Sequence, residues 1–323
     1  MKWGWYFVTG LFLIAVVLGA WAISHYRSDF QAAQERVAAG SQMVDTSCGP
    51  IEYAETGNGP AVMVIHGAGG GYDQGLLLGS WIFGDGYRLI APSRFGYLNS
   101  PTPADSSLEA QADAYACLLD ALGVDQVTVA GISAGGLSAL HFGLRYPERT
   151  SALIMVSAVS YAETPSPEDM QKVGVINRII GSNPTYWLAL HTIPSTVASL
   201  VGVPRAVQAQ LTPEGEGQMY QLLDLMLPTS MRVAGLAVDQ SRFCPRDFPI
   251  QQISAPTLVI HARDDTLVLY AYGQHSAEQI PNAEFMTIEV GGHFLLEHYA
   301  EIREATTAFL SQHQAEARRV EVH

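Results

Sequence analysis

Seven short strand-like runs recur along this chain, separated by polar turns and by stretches with helical spacing. They span residues 50–55, 61–66, 87–92, 126–131, 151–159, 256–261 and 284–289. Several are continuously apolar, as expected of strands that are buried on both faces of a sheet. The clearest helical stretch is 106–122, where Ser107 precedes apolar residues at helical spacing. This alternation predicts an α/β fold: a mostly parallel sheet with helices on both faces.

The alternation stops between Tyr161 and Ile250, a segment that contains several prolines but no convincing buried strand. It is too long for a loop. We interpret it as a helical cap over the carboxyl edge of the sheet, where open α/β sheets bind ligands. The large side chains expected to form an apolar substrate pocket, or else to pack the cap on the core, are Tyr186, Trp187, Leu188, Met219, Tyr220, Met226 and Met231.

The amino-terminal segment has a different pattern. Residues 3–23 include no charged residue, and about 20 apolar residues suffice for a helix to cross a bilayer. Trp3, Trp5, Tyr6 and Trp21 lie near its ends, as interfacial anchors do. A cleaved signal peptide is the alternative, since Ala20-Trp21-Ala22 fits the cleavage pattern, although the run exceeds the usual length of about 7–15 apolar residues.

These patterns predict four regions: an anchor or signal segment at 1–24, a linker at 25–40, a core at 41–160 and 251–323, and the cap at 161–250. Lys2 and the terminal amine favour a cytoplasmic amino terminus, which would place the rest of the chain at the cell surface or in the periplasm. Arg27 and Arg36 weaken that asymmetry. Secretion after signal cleavage is the alternative.

Composition narrows the classes of partner. The 323-residue chain has a net charge of −14 and no run rich in Lys or Arg, so nucleic acid is excluded as an expected partner. Cys48, Cys117 and Cys244 have no metal-ligand spacing. We expect three free or buried thiols, with a Cys48–Cys244 disulfide as the alternative in an oxidising compartment.

Ser133 lies in the sequence Gly131-Ile132-Ser133-Ala134-Gly135, after one strand-like run and before a helical stretch. A sharp turn there would expose the hydroxyl above the sheet, and small residues two positions before and after it would let strand and helix approach. The helix N-terminus would also stabilise a developing oxyanion. We therefore predict that Ser133 is a nucleophile; a helix-capping serine is the alternative.

A serine nucleophile needs a base and an acid that orients it. His293 follows the last predicted strand, whereas six other histidines, at 66, 141, 191, 261, 275 and 298, lie in helical regions or at strand ends that suit this role less well. Asp264 or Asp265 follows the run 256–261 and would orient the imidazole. The chain order Ser, Asp, His is the one that this turn motif requires.

The glycine-rich segment from His66 to Gly75 follows a central strand. Its backbone could closely approach a bound carbonyl, so the N–H of Ala68 or Gly69 would form an oxyanion hole with the N–H of Ala134. A phosphate-binding loop is disfavoured because no Gly-Lys-Ser/Thr follows and the spacing is not G-x-G-x-x-G.

These motifs, HGAGG, GISAGG, HARDD and GGH, resemble those of the α/β-hydrolase superfamily from about Gln42 to Phe309. The resemblance implies Ser133 as nucleophile, Asp265 as acid, His293 as base, and Ala68 and Ala134 as oxyanion donors. The chain departs from the family at Ser93, where an Asp is usual, and at Tyr97, where a Gly is usual.

The overall pattern is similar to that of capped esterases and carbon–carbon bond hydrolases. We predict a serine hydrolase that cleaves a carboxylic ester of a small, largely apolar substrate through an acyl-enzyme, without a metal or organic cofactor. Hydrolysis of a carbon–carbon bond in a diketone-like compound is the alternative. A non-catalytic small-molecule receptor with the same fold is a further one.

Overall fold

A computed structural model describes residues 2–162, 174 and 178–320, and within them an eight-stranded sheet lies at the centre. The strands are β1 (Gln42–Thr46), β2 (Gly49–Thr56), β3 (Ala61–Ile65), β4 (Arg88–Pro92), β5 (Val127–Ile132), β6 (Thr150–Val156), β7 (Thr257–Ala262) and β8 (Glu284–Ile288). The helices are α1 (Lys2–Ala39), α2 (Tyr72–Phe83), α3 (Leu108–Ala121), α4 (Gly135–Arg145), α5 (Asn183–Thr192), α6 (Pro194–Leu200), α7 (Arg205–Gln208), α8 (Pro213–Leu225), α9 (Val233–Ser241), α10 (Tyr270–Gln279) and α11 (Tyr299–Val320). Short 3-10 helices span Pro147–Arg149, Thr229–Met231 and Ile250–Gln252.

The strand order is β1-β2-β4-β3-β5-β6-β7-β8, and the strands from β4 to β8 in that order pair in parallel. Alternate residues of the central strands enter two apolar clusters on opposite faces: Val62 and Val64 belong to one, Met63 and Ile65 to the other. Both faces are therefore covered. The predicted α/β class with a mostly parallel sheet is confirmed.

All seven predicted strands have counterparts, but β1 was not predicted. Its sequence, Gln-Met-Val-Asp-Thr, has no continuous apolar run, and its residues are half-buried or exposed. It is an edge strand that pairs antiparallel with β2, with Gln42 opposite Tyr53 and Thr46 opposite Gly49. Backbone hydrogen bonds to a neighbour define such a strand, and these leave little signal in the sequence.

Helix α1 continues without a break from Lys2 to Ala39. In the part of the chain that the structure describes, it is the one helix long and apolar enough to cross a membrane, by length and composition. Residues 25–39 of the predicted linker at 25–40 are helical, and Val37 is buried. The Tyr72 hydroxyl donates hydrogen bonds to the Arg36 and Val37 carbonyls. The side chains of Trp3 and Trp5 lie outside the described residues.

Helices α5–α9 occupy the segment between β6 and β7 that we interpret as the cap. Residues 163–173 and 175–177 lie outside the described residues. They include Pro165 and Pro167, two of the prolines of the predicted cap. The fully buried Arg232 of this segment pairs with Asp73 at the start of α2, at 2.7 Å between Nη2 and Oδ2. A buried ion pair therefore joins the helical insertion to the core.

The cysteine prediction is wrong. Cys48, in the β1–β2 turn, and Cys117, on α3, form a disulfide with a Cα–Cα distance of 6.0 Å. Cys244 is the free cysteine and is buried. The pairing depends on the β1–β2 turn lying beside α3, and this contact was not foreseen because β1 itself was not.

The disulfide closes a loop with a sequence separation of 69 residues. Closing a loop of this size stabilises the folded chain by about 4 kcal/mol in the chain-entropy account. We expect a reducing agent to lower the free energy of unfolding of the wild type by about 2–4 kcal/mol in urea titrations. The free energy of unfolding of a Cys48→Ser/Cys117→Ser variant should not change when a reducing agent is added. An unchanged wild-type midpoint under reduction would contradict the pairing.

Candidate active site

Ser133 lies in the turn between β5 and α4 with a φ of 51°, a left-handed conformation that is strained for a residue with a side chain. Two neighbouring glycines leave room for this tight turn. A Cβ on Gly131 would lie 2.6 Å from the Ala139 Cβ, and a Cβ on Gly135 would lie 2.4 Å from the Ile65 carbonyl oxygen. Helix α4 has Ala134 as its N-cap, so Ser133 is not the capping residue.

The Ser133 hydroxyl lies 2.9 Å from the His293 Nε2, and the His293 Nδ1 lies 2.8 Å from the Asp265 Oδ2. All three residues are buried. With its proton on Nδ1, a neutral imidazole donates to Asp265 and accepts from Ser133. Residues 133, 265 and 293, predicted from three distant motifs, therefore meet in one chain of hydrogen bonds.

Asp265 accepts hydrogen bonds from the Leu267 and Val268 N–H groups as well as facing His293. Burial raises the pKa of its carboxyl group, but His293, a hydrogen bond from His261 and the Val268 N–H outweigh that effect. The net result is a pKa well below the ordinary value for Asp. The side chain is therefore a carboxylate that can stabilise an imidazolium.

Asp264, the alternative acid, has a different position. Its Oδ1 accepts hydrogen bonds from the N–H groups of Gly291 and Gly292, at 3.0 and 2.9 Å. These two glycines immediately precede His293. Asp264 thus holds the loop that carries the histidine, and Asp265 contacts the imidazole itself.

The glycine-rich loop after β3 lies directly beside Ser133. A Cβ on Gly67 would lie 2.9 Å from the Ser133 Cβ, so the backbone approaches as closely as only glycine permits. The Gly69 N–H donates to the Tyr97 hydroxyl at 3.4 Å. By contrast, the N–H groups of Ala68 and Ala134 have no hydrogen-bond acceptor among the described residues.

A buried polar network beneath this loop was not predicted. Arg94 donates from Nη2 to the Gly67 carbonyl at 3.1 Å and to the Asp239 Oδ2 at 2.7 Å, and Tyr97 donates to the same oxygen at 2.6 Å. Burial and then the Asp239 carboxylate raise the pKa of Tyr97, so its hydroxyl stays protonated as a donor. The one indication of this network in the sequence is that Ser93 and Tyr97 depart from the family pattern.

The cap segment also supports the histidine loop. The His293 N–H donates to the Gly202 carbonyl oxygen at 2.8 Å, and a Cβ on Gly202 would lie 2.4 Å from the His293 Cβ. Gly202 has a φ of 91°, which favours glycine. This contact was not predicted either, because nothing in the local sequence around Gly202 indicates what it packs against.

A cavity of about 270 Å³ opens onto Ser133 and His293, with Ala68 and Gly69 in its wall. Its described lining is mostly apolar, and the helical insertion contributes Leu200, Val201, Leu222, Leu223, Met226 and Leu236. Of the seven large side chains expected there, Met226 alone lines the cavity. The Tyr186 hydroxyl instead donates a hydrogen bond to the Leu223 carbonyl, and the Trp187 indole donates one to Asp29. Leu188 and Tyr220 are exposed.

Residues 60–298 match the family model described as alpha/beta hydrolase fold, which covers well over half of the chain. The chain belongs to this family, and it is an enzyme of the hydrolase class.

Its relatives include hydrolases with different named activities. It is 28% identical over 278 residues to 2-hydroxy-6-oxo-6-phenylhexa-2,4-dienoate hydrolase of Burkholderia cepacia, covering 81% of this chain and 91% of that one. It is 25% identical over 274 residues to Lipase 1 of Psychrobacter immobilis, covering 83% and 80%. Among solved structures, an alpha/beta hydrolase fold protein from Nakamurella multipartita has a TM-score of 0.64 and 26% identity, covering 84% of this chain and 99% of its own.

The lowered pKa of Asp265 predicts a pH dependence of stability. A carboxyl group whose pKa is lower in the folded state stabilises the fold above its unfolded pKa of about 3.9, and this contribution is lost as the pH falls toward the folded pKa. Each pKa unit corresponds to about 1.4 kcal/mol. The stability advantage of wild type over Asp265→Asn should therefore shrink between about pH 5 and pH 3.

Urea unfolding of the detergent-solubilised full chain at several pH values measures this advantage. Ser133→Ala serves as the control, because it removes no charge and should follow the wild-type profile. An advantage over Asp265→Asn that stays constant down to about pH 3 would contradict a carboxylate stabilised by its neighbours.

Proposed function

We propose that this protein is a serine hydrolase that cleaves a carboxylic ester of a small, largely apolar substrate through an acyl-enzyme. The observation that carries the proposal is the hydrogen-bonded chain Ser133–His293–Asp265 at an apolar cavity. In it, Ser133 is the nucleophile, His293 the general base and Asp265 the acid that orients the imidazole.

The reaction begins when Ser133 Oγ attacks the ester carbonyl carbon and its proton passes to His293 Nε2. The resulting imidazolium lies against the Asp265 carboxylate. His293 then returns the proton to the departing alcohol oxygen as the tetrahedral intermediate collapses to an acyl-enzyme. A water molecule, deprotonated by the same nitrogen, attacks the acyl carbon; the second tetrahedral intermediate then collapses, and His293 returns the proton to the Ser133 oxygen as the acid leaves.

The oxyanion of each tetrahedral intermediate needs hydrogen-bond donors that are in place beforehand. We assign this role to the N–H groups of Ala68 and Ala134, which have no acceptor among the described residues. The Gly69 N–H is the weaker candidate because the Tyr97 hydroxyl already accepts from it. In a comparable enzyme, loss of one donor costs about 2.7–4 kcal/mol of transition-state stabilisation.

Carbon–carbon bond hydrolysis is the second candidate, since one relative is named as a hydrolase of a dienoate, a carboxylate anion. The charge at the cavity favours a neutral ester instead. Asp239 lines it, whereas no Arg or Lys does so among the described residues. The nearby Arg94 is already paired with the Asp239 carboxylate. A substrate carboxylate would therefore find no free cation among the described lining residues, because Arg94 is already paired with Asp239 and Arg242 lies 3.7 Å from it.

We also propose that α1 is a retained anchor over residues 3–23, with the core, at 41–160 and 251–323, and the cap, at 161–250, outside the cytoplasm. The support is its length, since the uncharged run 3–23 is long enough to cross a bilayer and exceeds the usual signal-peptide run of about 7–15 apolar residues. The Cys48–Cys117 disulfide supports an oxidising compartment.

Ser133→Ala tests the nucleophile. It should lower kcat for a short p-nitrophenyl ester by a factor of about 10⁴–10⁶, because loss of a triad nucleophile removes the covalent route. Ser138→Ala, a buried serine one turn along α4, is the matched control and should retain most activity. Equal kcat values for wild type and Ser133→Ala would overturn the assignment.

The cavity charge predicts a preference among substrates. The kcat/KM for a neutral medium-chain ester should exceed that for the same ester with a terminal carboxylate by about tenfold or more, since a buried charged group left without a partner costs about 1–3 kcal/mol or more. Asp239→Asn should lower the ratio of kcat/KM for the neutral ester to kcat/KM for the carboxylate-bearing ester. Efficient turnover of a dienoate together with poor turnover of all esters would instead favour carbon–carbon bond hydrolysis.

A further inference from the structure

The segment from Ile179 to Pro204 contains no Asp, Glu, Lys or Arg. It is the longest such stretch in a chain with a net charge of −14, and it exceeds even the run between Lys2 and Arg27. It includes α5 and α6 of the cap. A surface of that length in contact with water ordinarily has charged residues. Their absence here suggests that the exposed part of this segment faces something other than bulk water.

Helix α5 lies beside α1 just beyond its apolar run. The Trp187 indole N–H donates to Asp29 at 2.7 Å, and the Trp187 ring lies 5.8 Å from the Tyr26 ring between centroids. Tyr26 is only three residues past Ile23, about 5 Å along a helix axis. If α1 crosses a bilayer over residues 3–23, α5 lies at the level of the lipid headgroups.

Two large apolar side chains of this segment are exposed. Leu188 is 53% exposed on α5, and Ile193 is 47% exposed between α5 and α6. Exposed apolar side chains next to a membrane helix fit the boundary between headgroups and acyl chains, where interfacial helices place such residues. The absence of acidic side chains also removes repulsion from anionic lipids.

The same segment reaches the cavity. Ile180 at one end and Leu200 and Val201 at the other line the wall around Ser133 and His293. The middle of the segment thus lies beside α1, and its ends form part of the substrate cavity. A path from the lipid surface to the reacting atoms along this segment would meet none of its own Asp, Glu, Lys or Arg side chains, because the segment has none.

We propose that residues 179–204 form a membrane-contacting surface of the cap, with Leu188 and Ile193 inserted in the bilayer that holds α1, and that the enzyme takes esters dissolved in that bilayer. The occupant is lipid because the surface is continuous with the membrane helix and the segment contributes no Asp, Glu, Lys or Arg to it. The substrate part of this inference rests on the proposed ester hydrolysis and on a retained α1.

Fluorescence quenching in the full chain tests the contact. Leu188→Cys and Ile193→Cys are each labelled with an environment-sensitive fluorophore, and Phe243→Cys, at a position 63% exposed outside the segment, is the control. The native cysteines do not compete, since two form the disulfide and Cys244 is buried. Intact mass verifies that residues before Ile23 are present.

In vesicles of phosphatidylcholine and phosphatidylglycerol, nitroxide lipids should quench the labels at 188 and 193, and aqueous iodide should quench the label at 243. Equal quenching of all three by iodide would overturn the proposal. Protection of 188 and 193 from iodide in detergent that rises with protein concentration would also overturn it, because a second copy would then cover the surface.

Kinetics test the substrate route. Leu188→Ser/Ile193→Ser should leave kcat/KM for a water-soluble ester unchanged and lower turnover of a long-chain ester held in vesicles by about tenfold, as loss of two partly inserted side chains predicts. Phe243→Ser should change neither rate. Equal loss on both esters, or no loss on either, would overturn the route, whereas a wild type inactive on both esters would refute the proposed function instead.

Discussion

Ser133 can hold its left-handed backbone because the residues around it have almost no side chains. Gly131 and Gly135 let α4 pass close to β5 and to the end of β3, and Gly67 brings the next loop against the serine itself. The crowding has a chemical consequence. It directs the hydroxyl toward His293 and leaves the N–H groups of Ala68 and Ala134 without internal acceptors. The strained turn at Ser133 thus brings together the contact with His293 and the two N–H groups to which we assign the oxyanion.

The helical insertion contributes to this arrangement and is more than a cover. Asp239 of α9 binds Arg94 and Tyr97, which in turn hold the Gly67 carbonyl and the Gly69 N–H of the glycine-rich loop after β3. On the other side, the Gly202 carbonyl accepts from the His293 N–H. A displacement of the insertion would therefore disturb both loops around Ser133. The geometry of the proposed triad and the apolar cavity depend on the same contacts.

Sequence reasoning predicted the features that depend on local pattern. Buried parallel strands are continuous apolar runs, so the central sheet could be predicted, and residues 133, 265 and 293 follow strand ends in a fixed order. It missed the features that depend on pairing across the chain. Edge strand β1 has no apolar pattern, and the Cys48–Cys117 disulfide follows from its position. The Arg94–Asp239 pair joins residues far apart in sequence, and neither position has a local signature.

The proposed reaction requires that His293 activates Ser133 to attack an acyl carbon. Reaction of the full chain with a fluorophosphonate, followed by peptide mass mapping, tests this most directly, because the reagent marks an activated serine covalently. The account predicts one label, on the peptide that contains Ser133, and its loss in His293→Ala. Absence of a label on the wild type, or a label on another serine, would contradict it.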